Sequence, residues 1–397
     1  MRKLDRRECV ALGLAALAAG GAGDPPARAG LAPDTLNALA KGKGLMFGSC
    51  LGTGPSGASP STAFEGARSR SFDDPNVRAL TVAQGGLMVP ENELKWYVLR
   101  PSSDRFDFRR ADILVGFAEH HGLAVRGHTL LWNAAKWFPA WVASHDFGAR
   151  PAAEAERLLR EHITTVCRRY GTRIFAWDVV NETIDPDTGK LRDTVFTKYL
   201  GPEAIDIAFH AAREAAPHAQ LVYNDYMSWG PTNAVHRAGV LELLARLKTN
   251  GVSVDALGVQ SHIGPGATDA GAFFNAEDQR SWRSFLDSAT AMGLDLVITE
   301  FDVGDQTMPA DIAVRDRDVA ALARDYFDLM LSYRQLRYVM AWGLVDRYSW
   351  LEDRWPRTDG LPKRPCPYDG NYQPKPLREA IADAFRAAPL RPTLEIG

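Results

Sequence analysis

From Gly44 onward, short apolar runs alternate with helix-length segments, and this rhythm constrains the fold more than any other feature of the chain. The runs are Gly44–Gly48, Gly86–Val89, Ala124–His128, Ile174–Glu182, Gln220–Asp225, Ala256–His262, Leu294–Glu300 and Tyr338–Gly343. The clearest helical pattern is Pro151–Tyr170. Leu158, Leu159, His162, Ile163, Val166, Cys167 and Tyr170 share one stripe of it, Pro151 opens it, and Gly171 lies just past its end. Pro202–Ala216, Thr232–Thr249, Glu277–Met292 and Arg315–Arg334 read the same way. Eight such units with no break in composition predict an α/β fold, a (β/α)8 TIM barrel in a single domain. The length of 397 residues is within reach of one α/β barrel. Two segments break the rhythm. Leu51–Phe72 is an unusually long Gly/Ser/Pro-rich loop after the first strand, and Pro389–Gly397 reads as a mobile tail.

The first 29 residues are set apart as an export signal. Arg2–Arg7 form a basic start, Val10–Gly23 is apolar but too short to span a bilayer, and Ala27-Arg28-Ala29 is a cleavage site before Gly30. Arg6-Arg7 fits a twin-arginine signal, with the general secretory route as the alternative. Residues 30–397 are then the mature catalytic domain, expected in the periplasm or outside the cell and as a monomer. Removing the leader takes five basic and three acidic residues from a chain of formal charge −3 and leaves −5. That balance argues against nucleic acid or an anionic membrane as partner. Ten tryptophans favour a neutral ligand that stacks on flat apolar surfaces. The three remaining cysteines (Cys50, Cys167 and Cys366) allow one bridge and require none.

In such a barrel, catalytic groups sit at the C-terminal ends of the strands. Those ends carry Glu91-Asn92-Glu93-Leu94-Lys95-Trp96, His128 with Trp132, Asn181-Glu182, Tyr223-Asn224-Asp225-Tyr226, Gln260-Ser261-His262, Glu300-Phe301-Asp302 and Trp342-Gly343. Glu182 and Glu300 each end an apolar strand, where a carboxylate is costly to bury unless it is paired or at work. Two carboxylates facing one cleft are the equipment of glycoside hydrolysis: one protonates the leaving oxygen, the other attacks or activates water. A metal-dependent hydrolase would need paired ligands such as H-x-H; His128 and His262 lie alone on separate strands, so neither metal nor other cofactor is expected.

The strings ENELKW, GHTLLW, WDVVNE, YNDY, GVQSHI, ITEFDV and WGLVDRYSW, followed by Tyr372-Gln373-Pro374-Lys375-Pro376, resemble the family 10 glycoside hydrolases, chiefly endo-β-1,4-xylanases. The resemblance covers the chain from about Leu45 to Phe385 and independently implies the barrel. It implies a retaining mechanism on xylan or xylo-oligosaccharides with Glu182 as acid/base and Glu300 as nucleophile. A related retaining β-glycosidase acting on xylo-oligosaccharides or another β-linked glycan is the alternative. It implies further that Asn181 binds the sugar 2-hydroxyl, that Gln260 lies near the nucleophile, and that His262 orients Glu300 with Asp302 behind it. Glu91, Asn92, Lys95, His128 and Trp132 match glycone-side positions. Trp342 and Trp350 match the tryptophans that crowd out a hydroxymethyl group, and Tyr226 matches an aglycone-side contact. Trp96, Trp177 and Trp282 are left to the core. The chain departs from the family at Asn133, where a histidine is usual, and in the altered stretch Ala134–Pro139, which leaves the contacts of that loop open. Phe301 stands where leucine is common, a change confined to packing.

Overall fold

The alternating runs fold into a closed barrel. The computed structural model describes residues 34–55, 69–266, 271 and 273–394; the leader, much of the long first loop and the last three residues lie outside them. The strands are β1 (Met46–Leu51), β2 (Leu87–Pro90), β3 (Ala124–Trp132), β4 (Ile174–Asn181), β5 (Gln220–Asp225), β6 (Ala256–Val259), β7 (His262–Ile263), β8 (Asp295–Val303) and β9 (Leu336–Ala341). All pair in parallel, in the order β6-β5-β4-β3-β2-β1-β9-β8, and a β6–β8 pairing closes the ring. β7 resumes β6 after a break at Gln260-Ser261 and pairs with β8, so the barrel has eight staves. The expected continuous run Ala256–His262 is therefore interrupted. Ser261 adopts a left-handed φ of 64°, which no regular strand accommodates.

Two apolar clusters follow from the strand alternation. One contains strand residues and no helical ones, among them Leu87, Val89, Ala176, Val222, Val297 and Met340, and fills the barrel. The other joins the opposite strand faces (Leu221, Tyr223, Leu296, Ile298 and Val339) to the surrounding helices. Irregular register lets the strand ends depart from strict alternation. Between Ile298 and Phe301 the β8–β9 register shifts, which brings Thr299 and Glu300 together to the inside. Gly127 is required where β3 meets β4, because a Cβ there would stand 2.1 Å from the Trp177 ring. Trp96, Trp177 and Trp282 are buried, as expected of core residues.

The helix Pro151–Tyr170 has the expected bounds, and His162 on its apolar stripe is stacked flat on Trp96 at 3.9 Å. The helix expected over Arg315–Arg334 starts earlier, at Ile312, because the Asp311 carboxylate accepts from the Val314 N–H as its cap; it ends at Met330. The helix Ala276–Ala291 likewise begins one residue early, behind an Asn275/Asp278 capping box. The tail is not free as far as Leu394. Arg391 is buried, donates to Leu331 O at 2.8 Å, and its N–H bonds Lys43 O; Leu394 packs on the barrel-filling cluster. Cys50, Cys167 and Cys366 are buried free thiols. No described helix is long and apolar enough to cross a membrane.

Candidate active site

A cleft of about 370 Å³ opens at the C-terminal ends of the strands and gathers the candidates from separate staves. Glu91, Asn92, Lys95, His128, Trp132, Asn181, Glu182, Tyr226, Gln260, His262, Glu300, Trp342 and Trp350 all line it. Asp302 does not; it lies behind His262. Parallel closure of the sheet is what brings residues so distant in sequence to one cleft.

Glu300 sits among donors. Its Oε1 accepts from Asn224 Nδ2 at 2.8 Å, and its Oε2 lies 3.3 Å from His262 Nε2. His262 Nδ1 is 2.9 Å from Asp302 Oδ1, and Trp350 Nε1 donates to Asp302 Oδ2 at 2.8 Å. Burial disfavours a charged His262, but flanking Asp302 and Glu300 outweigh it and push the imidazole up to about 10. Burial would also raise Glu300; the cationic His262 and Lys95 beside it outweigh that and hold the carboxyl below its usual range. Burial pushes His128 down to about 3, so at neutral pH it is uncharged and the balancing charge comes from His262 and Lys95. His128 instead places Nδ1 2.7 Å from Asp178, which is ion-paired to Arg126 inside the barrel.

Glu182 sits differently. It follows the last residue of β4 with φ at 53°, an uncommon conformation for a residue with a side chain. Two bonds hold it there: its N–H donates to Asn224 O at 2.9 Å, and its carbonyl accepts from Arg192 Nε at 2.9 Å. The carboxylate accepts from Trp132 Nε1 and from Gln260 Nε2, both at 2.9 Å, and from Asn181 Nδ2 at 3.3 Å. None of these donors is charged. Burial raises the Glu182 carboxyl, Asp225 and Glu300 add repulsion, and the two shorter hydrogen bonds only partly offset it.

An amide chain connects the two carboxylates. Asn224 Nδ2 bonds both Glu300 and Asn181 Oδ1, and Asn181 Nδ2 faces Glu182. The reverse orientation of the Asn181 amide would set its NH2 against those of Asn224 and Gln260. Lys95 donates to Asn92 Oδ1 at 2.8 Å and stands 4.8 Å over the Trp132 ring. Glu91 packs over Gly52, where a Cβ would come within 2.5 Å of its Oε2. Tyr226 lies across the cleft, its hydroxyl accepting from Arg192 at 2.8 Å. Among the described residues no group of three or more His, Cys, Asp or Glu side chains is arranged to hold a metal ion.

The model of Glycosyl hydrolase family 10 matches residues 36–384, nearly all of the described chain. The chain belongs to this family. Among its relatives is an endo-1,4-beta-xylanase 3 of Hypocrea jecorina, 32% identical over 312 residues and covering 76% of each chain. An endo-1,4-beta-xylanase B of Thermotoga neapolitana is 30% identical over 75% of this chain and 80% of its own. In structure, xylanase 10B from Thermotoga maritima superposes with a TM-score of 0.74 at 29% identity, covering 88% of this chain and 98% of that one.

This family 10 glycoside hydrolase departs from the expected pattern where the sequence suggested. Asn133 is buried and turned away from the cleft: it donates to Thr183 Oγ1 at 2.7 Å and accepts from Thr194 at 2.9 Å. From that loop Lys136 and Trp137 line the cleft instead, Trp137 stacked on Trp132 at 4.4 Å. Phe301 packs against Phe327 and Tyr326, on the side away from the cleft. Four residues of the site went unassigned in the sequence: Asn224, Asp225, Arg192 and His236. Buried His236 lies 3.2 Å from Asp225, which in turn caps the Tyr226 N–H and accepts from Tyr223. The YNDY string carried a signal for the first two. Arg192, in a loop, and His236, on a helix, had none.

Proposed function

We propose that this enzyme is a retaining endo-1,4-β-xylanase in which Glu300 attacks the anomeric carbon and Glu182 protonates the departing oxygen, then activates water. One observation carries the assignment: two buried carboxyls in one cleft are shifted in opposite directions, Glu300 down and Glu182 up. A nucleophile must be ionised and a general acid protonated at the same pH, and these surroundings favour that pair of states. Asn181 is suited to the 2-hydroxyl of the reacting sugar, Glu91, Asn92, Lys95, His128 and Trp132 to the glycone side, and Tyr226 to the aglycone side. Trp342 and Trp350 wall the cleft where a hydroxymethyl group would project. The relatives named as xylanases support the substrate. Met1–Ala29 is suited to direct export, with the mature enzyme working as a monomer.

The test is hydrolysis of xylan beside cellulose, with and without chelator, the first product being followed by NMR. Faster cleavage of xylan, unaffected by EDTA and with retention at the anomeric centre, is expected. Inversion would rule out double displacement, and faster cleavage of cellulose would rule out the substrate.

A further inference from the structure

The cleft carries more positive charge than the proposed chemistry uses. Lys95 is engaged with Asn92, and Arg192 with Tyr226, the Glu182 carbonyl and Asp185. Lys136 and Arg354 also line the cleft, from the loops after β3 and β9. Each is propped against an indole: the Lys136 ammonium stands 5.0 Å over Trp137, and the Arg354 guanidinium 5.3 Å over Trp355. Neither forms an ion pair with a carboxylate among the described residues, although Glu182 and Asp187 line the same cleft. Burial lowers Lys136, attraction to Glu182 opposes that, and Arg354 and Arg192 act on it as like charges. Two exposed cations that line one cleft and act on one another as like charges gain if an anion binds to both.

Resting on the xylanase reading, we propose that Lys136 and Arg354 form a subsite for a carboxylate carried on the xylan chain, that is, for a uronic acid branch. A neutral backbone has no group that needs either charge. A uronate accepts from the guanidinium in bidentate fashion and from the ammonium as a point charge. The indoles beside them hold the two cations in place at the cleft wall.

The experiment compares kcat/KM on a linear xylo-oligosaccharide with that on the same backbone bearing one glucuronic acid branch. The wild type is expected to favour the branched substrate by a margin that shrinks as salt is raised. Lys136→Ala and Arg354→Ala should each lower kcat/KM on the branched substrate roughly three- to tenfold and leave the linear one within about twofold. Lys136→Arg should keep the preference, and Lys136→Glu should reverse it. Equal losses on both substrates, or no loss on either, would overturn the subsite while leaving the xylanase reading intact. Failure of the wild type on the linear substrate would overturn both.

Discussion

Glu300, near the C-terminal end of β8, and Glu182, just past the end of β4, are the same residue type, and their surroundings push them apart. Glu300 is met by a cationic His262, by Lys95 and by one amide. Glu182 is met by an indole, two amides and the nearby Asp225. Both are buried, so desolvation acts alike on each. The difference lies in whether a positive charge stands close enough to outweigh it. For Glu300 one does. For Glu182 the donors are neutral and the nearest repulsion comes from another carboxylate.

The hardest break of that contrast is to remove each carboxylate in turn. Glu300→Ala should abolish turnover of xylan and of an activated aryl xyloside alike, a loss on the order of 10⁴-fold or more, because no covalent intermediate can form. Glu182→Ala should cost xylan hydrolysis roughly 10²- to 10⁴-fold, the usual worth of a general acid and base. With a phenolate leaving group of low pKa the proton is hardly needed. That variant should therefore still release a burst of phenol and then stall. Stopped-flow absorbance reads the burst, and its absence would mean that the roles are misassigned.

A gentler break exchanges the charges and leaves the carboxylates. Activity requires ionised Glu300 and protonated Glu182, so the pH profile of kcat/KM should be a bell. Its acid limb is set by the lowered Glu300, and its alkaline limb by the raised Glu182. His262→Asn removes a cation facing Glu300, which raises that carboxyl and moves the acid limb to higher pH. Asp225→Asn removes a like charge near Glu182, which lowers that carboxyl and moves the alkaline limb to lower pH. The two variants narrow the bell from opposite sides. If both moved the same limb, the contrast would have the wrong cause. Glu182 is faced by Glu300, Arg192, Lys136, Tyr226 and His236 as well, so Asp225→Asn should shift the limb and not erase it.

The barrel, and the two carboxylates within it, were legible in the sequence because both follow from strand ends. An apolar run that stops at a charged residue marks the rim, even in β8, whose pairing runs on to Val303 through a register shift. Elsewhere irregularity blurred the reading. β3 continues past His128 to Trp132, and β6 breaks at Gln260-Ser261, because backbone twists that add a residue leave no trace in polarity. The network behind Glu182 was less legible for another reason. His236 reaches Asp225 from the helix Ala234–Thr249, where it reads as one more residue of a buried stripe, and Arg192 comes from a loop with no pattern. Contacts across elements have no period. The C-terminal tail differs likewise: a short plain stretch reads as mobile, yet Arg391 finds two backbone carbonyls at the barrel's edge.

The smallest expected effect separates two jobs that Trp350 combines. Its indole N–H holds Asp302 at 2.8 Å, and its ring lies 4.9 Å from the His262 ring while forming part of the cleft wall. Trp350→Phe keeps most of the wall and deletes the donor. One Asp302 oxygen then loses a neutral hydrogen bond, typically worth about 1 kcal/mol, and the acid orienting His262 is held less firmly. The expected result is a fall in kcat of roughly fivefold, by that same ~1 kcal/mol, with the preference for xylose over glucose unchanged. Trp350→Ala removes both wall and donor. It should show the same kinetic loss or more, and in addition relax discrimination against glucose-based aryl glycosides, because the space for a hydroxymethyl group opens. Selectivity that fell equally in both variants would tie it to the Asp302 bond and not to the bulk of the ring. Kinetics that fell only in Trp350→Ala would show that Asp302 holds its place without the indole, leaving His262 as the chief difference between the surroundings of Glu300 and Glu182.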